Sequence, residues 1–197
     1  PLILHGQPEG CELPAVDVDN QAGGYQATTH LIGLGHRRIG FISNAPLSYA
    51  GARDRFAGYS QALGEHAIPL DEDLVQTAVF MPNSAQLAME TLLDLPERPT
   101  AVFAASDVVA VGAMSAIQGA GLRIPQDIAV VGFDDIFLAA YLQPALTTVR
   151  VPAYGLGWTA AEVLINLIEG EEQISPVTLE TELVVRASCG AASQPQA

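Results

Sequence analysis

Polar side chains follow three of the buried strands that the sequence predicts. Ser43-Asn44, Ser106-Asp107 and Asp134-Asp135 each come directly after a short apolar run. In an open parallel sheet the carboxyl ends of the strands share one edge, and ligands bind at that edge. Carboxylate, amide and hydroxyl groups gathered there can orient a small polar ligand by hydrogen bonds.

Arg55 and Phe80 add a guanidinium and an aromatic face to this set. Each residue also has an ordinary explanation: Ser106 or Asp107 caps a helix, Asp134-Asp135 forms a solvated turn, Arg55 is a surface charge and Phe80 is core. Taken together, they are what a polyol-like ligand needs for orientation and stacking. Because nothing among them pairs a nucleophile with its base, the set indicates binding without chemistry.

Motifs of the common enzyme and metal-binding classes are missing from the sequence. There is no G-x-S-x-G, no G-x-x-x-x-G-K-[ST] and no lysine at all, and neither Cys11 nor Cys189 has a C-x-x-C partner. The four histidines lack metal-ligand spacing. We therefore expect no cofactor and no enzymatic activity. An α/β enzyme that uses Asp134-Asp135 as acid and base is the alternative.

Composition and charge restrict the class of protein. Apolar residues make up 49% of the 197 residues, and no apolar run approaches the length of a membrane helix. Twenty-two acidic residues against eight arginines give a net charge of −14, which repels nucleic-acid phosphates. Two cysteines and the lack of a signal-peptide start indicate a cytoplasmic chain.

Apolar runs alternate with helical periodicity along the chain, which predicts an α/β fold with doubly wound parallel sheets. The buried strands are expected at 2–4, 39–43, 101–105 and 128–132, with weaker ones at 75–79 and 183–185. Helices are expected at about 20–34, 52–65, 84–94, 107–119 and 154–169. The helix over 107–119 is apolar nearly all round, so we expect it to be covered on both sides. One side would pack on its own sheet, and the other on a neighbouring lobe or, as we favour, on a second copy of the chain in a homodimer.

Several motifs together resemble the LacI/GalR family of transcriptional regulators. They run in the family's order from residue 1 to about 189: Asp19-Asn20, Gly23-Gly24, the segment 30–40 (HLIGLGHRRIG), 55–59 (RFAGY), 105–107 (ASD), 121–128 (GLRIPQDI), 131–135 (VGFDD) and 146–150 (LTTVR). Each motif is weak alone, and the combination is specific.

The resemblance implies a periplasmic-binding-protein-like type I fold, with two doubly wound parallel-sheet lobes joined by three crossovers and a ligand between them. The crossings are expected near 44–46, 149–152 and 174–177. The N-terminal lobe would comprise 1–45 and 152–174 and would be incomplete, and the C-terminal lobe 46–149 and 177–189. Residues 190–197 would form a disordered tail.

The resemblance also assigns ligand-binding roles to individual residues. Arg55 matches the family's effector-contacting arginine, Asp134 its ligand-binding aspartate and Ser106 a position that reaches the effector. Phe80 matches an aromatic that stacks on the ligand, and Tyr49 lies in a nearby loop of variable length.

The implied function is effector sensing in a repressor, with a small polar ligand, most commonly a sugar. Operator DNA would be bound only through an N-terminal helix-turn-helix region that is absent here. The alternative within this fold is a periplasmic sugar-binding protein of an ABC importer.

Overall fold

The computed structural model of the protein describes residues 2–4, 13–170 and 175–191. Within these ranges there are five α-helices: α1 (Asn20–Gly33), α2 (Ala50–Glu65), α3 (Pro82–Leu93), α4 (Asp107–Gly119) and α5 (Ala153–Glu169). The same ranges hold nine strands: β1 (Ile3–Leu4), β2 (Ala15–Val18), β3 (Ile39–Ser43), β4 (Val75–Thr77), β5 (Ala101–Ala104), β6 (Ala129–Asp134), β7 (Thr147–Arg150), β8 (Val177–Leu179) and β9 (Glu182–Val184). The five helices and the α/β class agree with the sequence prediction.

The strands form two sheets of unequal size. A three-stranded parallel sheet has the order β1-β2-β8, and α5 packs on it. A six-stranded sheet has the order β4-β3-β5-β6-β7-β9, in which only β9 runs antiparallel to its neighbour. Helices α1 to α4 contact this second sheet. We call the two units the smaller lobe and the larger lobe.

Alternation along the central strands gives the larger lobe a core on each face of its sheet. On one face Ile42, Val102 and Val130 pack under α3 and α4. On the other face Phe41, Phe103 and Val131 pack under α1 and α2. Parallel strands that are covered on both faces must be apolar throughout, which is why these runs were recognisable in the sequence.

The smaller lobe has a core of its own. Val16 and Val18 of β2 pack against Leu156, Ala160 and Val163, which follow one another at helical spacing along α5. Leu167 packs against these three side chains, whereas Leu164 of the same helix is exposed.

Two of the expected lobe boundaries are wrong. β3 was placed in the N-terminal lobe, but it lies inside the larger sheet between β4 and β5, so the chain enters the larger lobe directly after β2 and not near 44–46. β8 pairs with β2 in the smaller sheet, so the third passage falls between β8 and β9 and not near 174–177. A buried apolar run does not reveal which sheet it joins, because pairing partners are distant in sequence. Residues 192–197 of the expected tail lie outside the described residues.

Much of the apolar surface of α4 is covered within one chain. The sheet covers one side of α4, and α3 of the same lobe packs against it as well. Gly112 allows this packing, because a Cβ there would overlap the Pro82 carbonyl oxygen and lie 2.7 Å from the Ala85 Cβ. Val108 and Val111 of α4 stay partly exposed, and the homodimer contact expected at this helix stays a prediction.

Candidate ligand site

A small cavity lies where β3 ends and α2 begins. It has a volume of about 140 Å³ and brings together three of the predicted site residues, Tyr49, Arg55 and Phe80, with Asn44 and the α2 start at 50–52. Ser106 and Asp134 do not line it. Larger depressions of about 380 and 540 Å³ lie on the surface between α3 and α4 and around residues 68–74, away from the strand ends. The volume is below the usual range for a whole ligand, so this cavity fits part of one.

Arg55 is a buried and immobilised cation rather than a surface charge. Its side chain is 2% exposed, and its guanidinium lies 3.9 Å from the centroid of the Phe133 ring. Nε donates to Asn20 Oδ1 at 2.9 Å, and one terminal nitrogen donates to the Ala105 carbonyl at 2.6 Å. The first helix and the end of β5 thus hold the arginine in place beside the cavity.

Three carboxylates influence this arginine. Burial lowers the pKa of the Arg55 guanidinium, and the charges of Asp134, Asp17 and Asp107 each oppose that shift. These aspartates come from the ends of β2 and β6 and from the start of α4. Their convergence is what the shared edge of neighbouring parallel strands produces.

Ser106 performs the ordinary role that a residue of its type has before a helix. Its Oγ accepts a hydrogen bond from the Val109 N–H at 3.3 Å and caps α4. The side chain is buried, and the preceding residue, Ala105, supplies the carbonyl that binds Arg55. Ser106 therefore lies next to the arginine, and its contact with a ligand stays a prediction.

Asp134 and Asp135 form a strained turn, not a solvated one. Both have positive φ angles, 116° and 55°, which non-glycine residues rarely adopt. The Asp135 carboxylate is held by Arg150 at 2.8 Å and by Arg186 at 2.7 Å, and the Val151 N–H donates to the Asp134 carbonyl. Such a conformation persists only where its surroundings fix it, as they do here.

Asp107 was considered in the sequence only as a helix cap, and the structure gives it a different position. The carboxylate is completely buried and accepts hydrogen bonds from Thr148 Oγ1 at 2.6 Å and from the Ile136 N–H at 2.8 Å. The pKa of the Asp107 carboxyl is raised to about 7, mainly by burial; the two hydrogen bonds oppose this shift, and the charges of Asp134 and Asp135 add to it. Asp107 thus fixes the turn that carries Asp134.

Other residues at the site were not among the predicted ones. Asn20 binds Arg55, Phe133 stacks under it, Asp17 contributes charge and Asn44 lines the cavity. Asn44 stood out in the sequence because it follows a strand. Asn20 belongs to one of the family motifs, but nothing in the sequence shows that it binds Arg55, and no local signal identifies Asp17. Among the described residues, no three His, Cys, Asp or Glu side chains are grouped as metal ligands.

Two exposed aromatic residues flank the cavity. Tyr49 and Phe80 are each more than half exposed, and Phe80 has a positive φ of 51°. The backbone N–H of Phe80 donates to the Asn44 carbonyl at 2.9 Å, which ties this residue to the end of β3. Phe80 is therefore not core, and its ring is available for stacking.

Comparison with known proteins agrees with this geometry. A family model for the periplasmic binding protein-like domain matches residues 28–189. The HTH-type transcriptional repressor PurR of Vibrio atlanticus (strain LGP32) is 37% identical over 188 residues, which cover 95% of this chain and 56% of that repressor. A LacI family transcriptional regulator from Mycobacterium smegmatis is 35% identical with a TM-score of 0.88, over 94% of this chain and 68% of that one. The chain belongs to the LacI family.

Another solved relative of this LacI-family chain is the transcriptional regulator CelR in complex with cellobiose. The two are 40% identical with a TM-score of 0.89, over 95% of this chain and 58% of that one. The LacI-family chain spans just over half the length of the curated relatives it matches. Its fold is the periplasmic-binding-protein-like α/β fold that the motifs implied. The relatives named here are transcriptional regulators and not enzymes.

Proposed function

We propose that this chain is the effector-sensing domain of a transcriptional repressor and that it binds a small neutral polar ligand, a sugar, at the strand-end site between the two lobes. The observation that carries the proposal is the buried Arg55, fixed by Asn20 and Ala105 beside a cavity that Tyr49 and Phe80 flank. The named relatives support it, since they are repressors and one was solved with cellobiose.

Charge favours a neutral ligand over an anionic one. Asp17, Asp107 and Asp134 act on Arg55 together, and the whole chain carries a net charge of −14. A phosphate or carboxylate would be repelled at this edge, whereas a neutral polyol would not. Aromatic faces such as those of Tyr49 and Phe80 stack on the apolar face of a sugar ring.

Binding without turnover is part of the proposal. Among the described residues, Cys189 and His30 come within 3.3 Å of each other, as a nucleophile and base would. The cysteine is 1% exposed, packs in the core under α1 and α2, and does not line the cavity. The relatives also favour the regulator over the sugar-import receptor that the fold alone allows.

Calorimetry tests the site with D-glucose, D-ribose and cellobiose, and with adenosine as a ligand of another class. We expect Arg55→Lys and Asp134→Asn to weaken the binding of the preferred sugar at least tenfold. Lys cannot reproduce the two-directional hydrogen bonding of the guanidinium, and Asn keeps the shape of Asp134 and tolerates its positive φ. Arg98→Lys, at an exposed position, is the control. Unchanged affinity in both site variants would refute the assignment.

A homodimer is proposed, with a second apolar surface in addition to that of α4. The 3-10 turn Phe137–Tyr141 exposes Phe137, Leu138 and Tyr141, and large apolar side chains grouped at a surface mark an interface. Sedimentation of the wild-type protein should show a dimer that Phe137→Asp dissociates and that Leu70→Asp, at another exposed apolar position, leaves intact. A monomeric wild type at micromolar concentration would contradict this.

The DNA-binding function is assigned to a separate basic segment, because the acidic surface of this chain repels phosphates. A repressor acts on the chromosome, so the cytoplasm is the proposed location. Among residues 2–4, 13–170 and 175–191, no helix is long and apolar enough to cross a membrane. A gel-shift assay in which these 197 residues alone bound operator-like duplexes at physiological salt would overturn the assignment.

A further inference from the structure

Asn44 carries a buried hydrogen-bond acceptor that no protein group satisfies. The residue directly follows β3 and is 4% exposed, and its Oδ1 makes no hydrogen bond to the described residues. Its backbone is fixed, because the carbonyl accepts from the Phe80 N–H. A buried carbonyl without a partner destabilises a fold, and nearly all such groups in native proteins have one. An exception at this position needs an explanation.

The position of Asn44 supplies one. Four buried polar side-chain atoms of the described residues lack a partner, and the other three are the hydroxyls of Thr29, Ser60 and Thr181. Asn44 is the one of the four that lines the cavity beside Arg55, Tyr49 and Phe80. It is also the one amide among them, so its acceptor cannot be redirected by rotation of a hydroxyl hydrogen.

We propose that Asn44 is a specificity-determining residue, whose Oδ1 accepts a hydrogen bond from a ligand hydroxyl. This inference rests on the proposed function, since it concerns the same ligand. Oδ1 has almost no exposed surface in the ligand-free protein, so the Asn44 side chain has to rotate toward the cavity before a donor on the ligand can lie about 2.7–3.0 Å from it. A site built to bind a hydroxyl rejects the analogue that lacks it, because the buried acceptor is then left unpaired.

The same reasoning explains why the acceptor is tolerated in the free protein. Functional sites keep groups that are unfavourable for folding when those groups pair only with the ligand. Replacing Asn44 with leucine, which has a similar volume, removes the unpaired carbonyl and should not lower the thermal midpoint. The same change should abolish the selectivity that the carbonyl confers.

The experiment compares wild type, Asn44→Leu and Asn44→Ala by calorimetry against D-glucose, D-ribose and cellobiose and against monodeoxy analogues of the preferred sugar. Adenosine and 2′-deoxyadenosine form the arm in which the donor belongs to a nucleoside. Asn166→Leu, on α5 of the smaller lobe, is the matched control. Thermal unfolding of each variant, recorded without ligand, reports on the fold.

We expect Asn44→Leu and Asn44→Ala to bind the preferred sugar at least tenfold more weakly than wild type. We also expect one deoxy analogue and the parent sugar to bind each variant with equal affinity. Wild type should bind that analogue more weakly than the parent sugar. Equal affinity in wild type and Asn44→Leu, or discrimination that survives in the variants, would overturn the inference while leaving the site intact. If the variants change only the discrimination between adenosine and 2′-deoxyadenosine, the hydroxyl that Asn44 binds belongs to a nucleoside and not to a free sugar. Wild type that binds no ligand of the panel would instead refute the proposed function and this inference with it.

Discussion

The contact between α1 and α2 positions Arg55, and it depends on a glycine. A Cβ built on Gly58 would overlap the Gln21 carbonyl oxygen, lie 2.6 Å from the Tyr25 backbone nitrogen and lie 3.0 Å from the Gly24 carbonyl carbon. All three atoms belong to the backbone of α1, so no side chain can rotate away. We therefore predict that Gly58→Ala forces the two helices apart.

The cost follows from the distances. Ordinary van der Waals contact begins near 3.4 Å, so α1 has to move by nearly 1 Å or more. Overpacking of this kind costs about 1–3 kcal/mol and sometimes more, while the better helix propensity of alanine returns up to about 1 kcal/mol. We expect a net loss of about 2 kcal/mol in the free energy of unfolding. Ligand affinity should fall as well, since Arg55 lies one turn before Gly58 and is bound to Asn20 of α1.

Urea unfolding followed by circular dichroism measures this loss, and the same helix offers a control. Gly64 also lies in α2, but a Cβ there would meet nothing within 4 Å. Gly64→Ala should therefore keep or raise the free energy of unfolding by up to about 1 kcal/mol. If Gly58→Ala proved as stable as Gly64→Ala, the close packing of α1 on α2 would not be what places the arginine.

Two further predictions concern the carboxylates around the turn after β6. Because the pKa of Asp107 is raised from its ordinary 3.8 to about 7, the folded state holds a proton that the unfolded state has released, and stability falls as the pH rises between these values. The free energy of unfolding of wild type should thus fall by about 3 kcal/mol relative to that of Asp107→Asn between pH 5 and pH 8. Parallel curves of unfolding free energy against pH for the two proteins would contradict the burial argument. Asp135→Asn should cost about 2–3 kcal/mol, since it leaves Arg186 largely buried without its carboxylate, whereas Asp54→Asn in the exposed pair with Arg53 should cost less than about 1 kcal/mol. Equal losses in these two variants, measured by urea unfolding, would show that the turn is not held by its ion pairs.

Local patterns predicted the elements of the fold but not how they are distributed between the lobes. The five helices could be located because Gly35, Gly121 and the apolar periodicity give their ends and faces. The central strands were visible as apolar runs. β2 was missed, since Asp17 interrupts a run of only four residues. β8 was not predicted as a strand, and its residues were assigned to the C-terminal lobe. β2 and β8 pair with each other in the smaller sheet, and neither segment shows this pairing in its own sequence.

The sequence predicted residues of the candidate site but not the contacts that hold them in place. Residues at strand ends and in family motifs were identifiable, and three of the five line one cavity. The sequence did not show that Asn20 and Ala105 hold Arg55 in place, because they lie 35 and 50 residues from it along the chain. The ordinary roles considered for Arg55 and Phe80 are excluded by burial and exposure, respectively. The cap role of Ser106 is observed.

The balance of hydrogen-bond donors and acceptors at the site restricts the class of ligand further than charge does. The Asn44 carbonyl at the cavity is an acceptor without a protein partner among the described residues, whereas the one guanidinium that lines the cavity already donates to Asn20 and to the Ala105 carbonyl. A site rich in acceptors complements a ligand rich in donors, and it leaves unpaired the lone pairs of a ligand that carries only acceptors. Every hydroxyl of a polyol can donate without adding charge, so a sugar meets both requirements. An anion such as a phosphate monoester meets neither, because it adds negative charge and supplies almost no donors. The same physical demand therefore connects the acidity of the strand ends, the unpaired amide and the class of ligand that we propose.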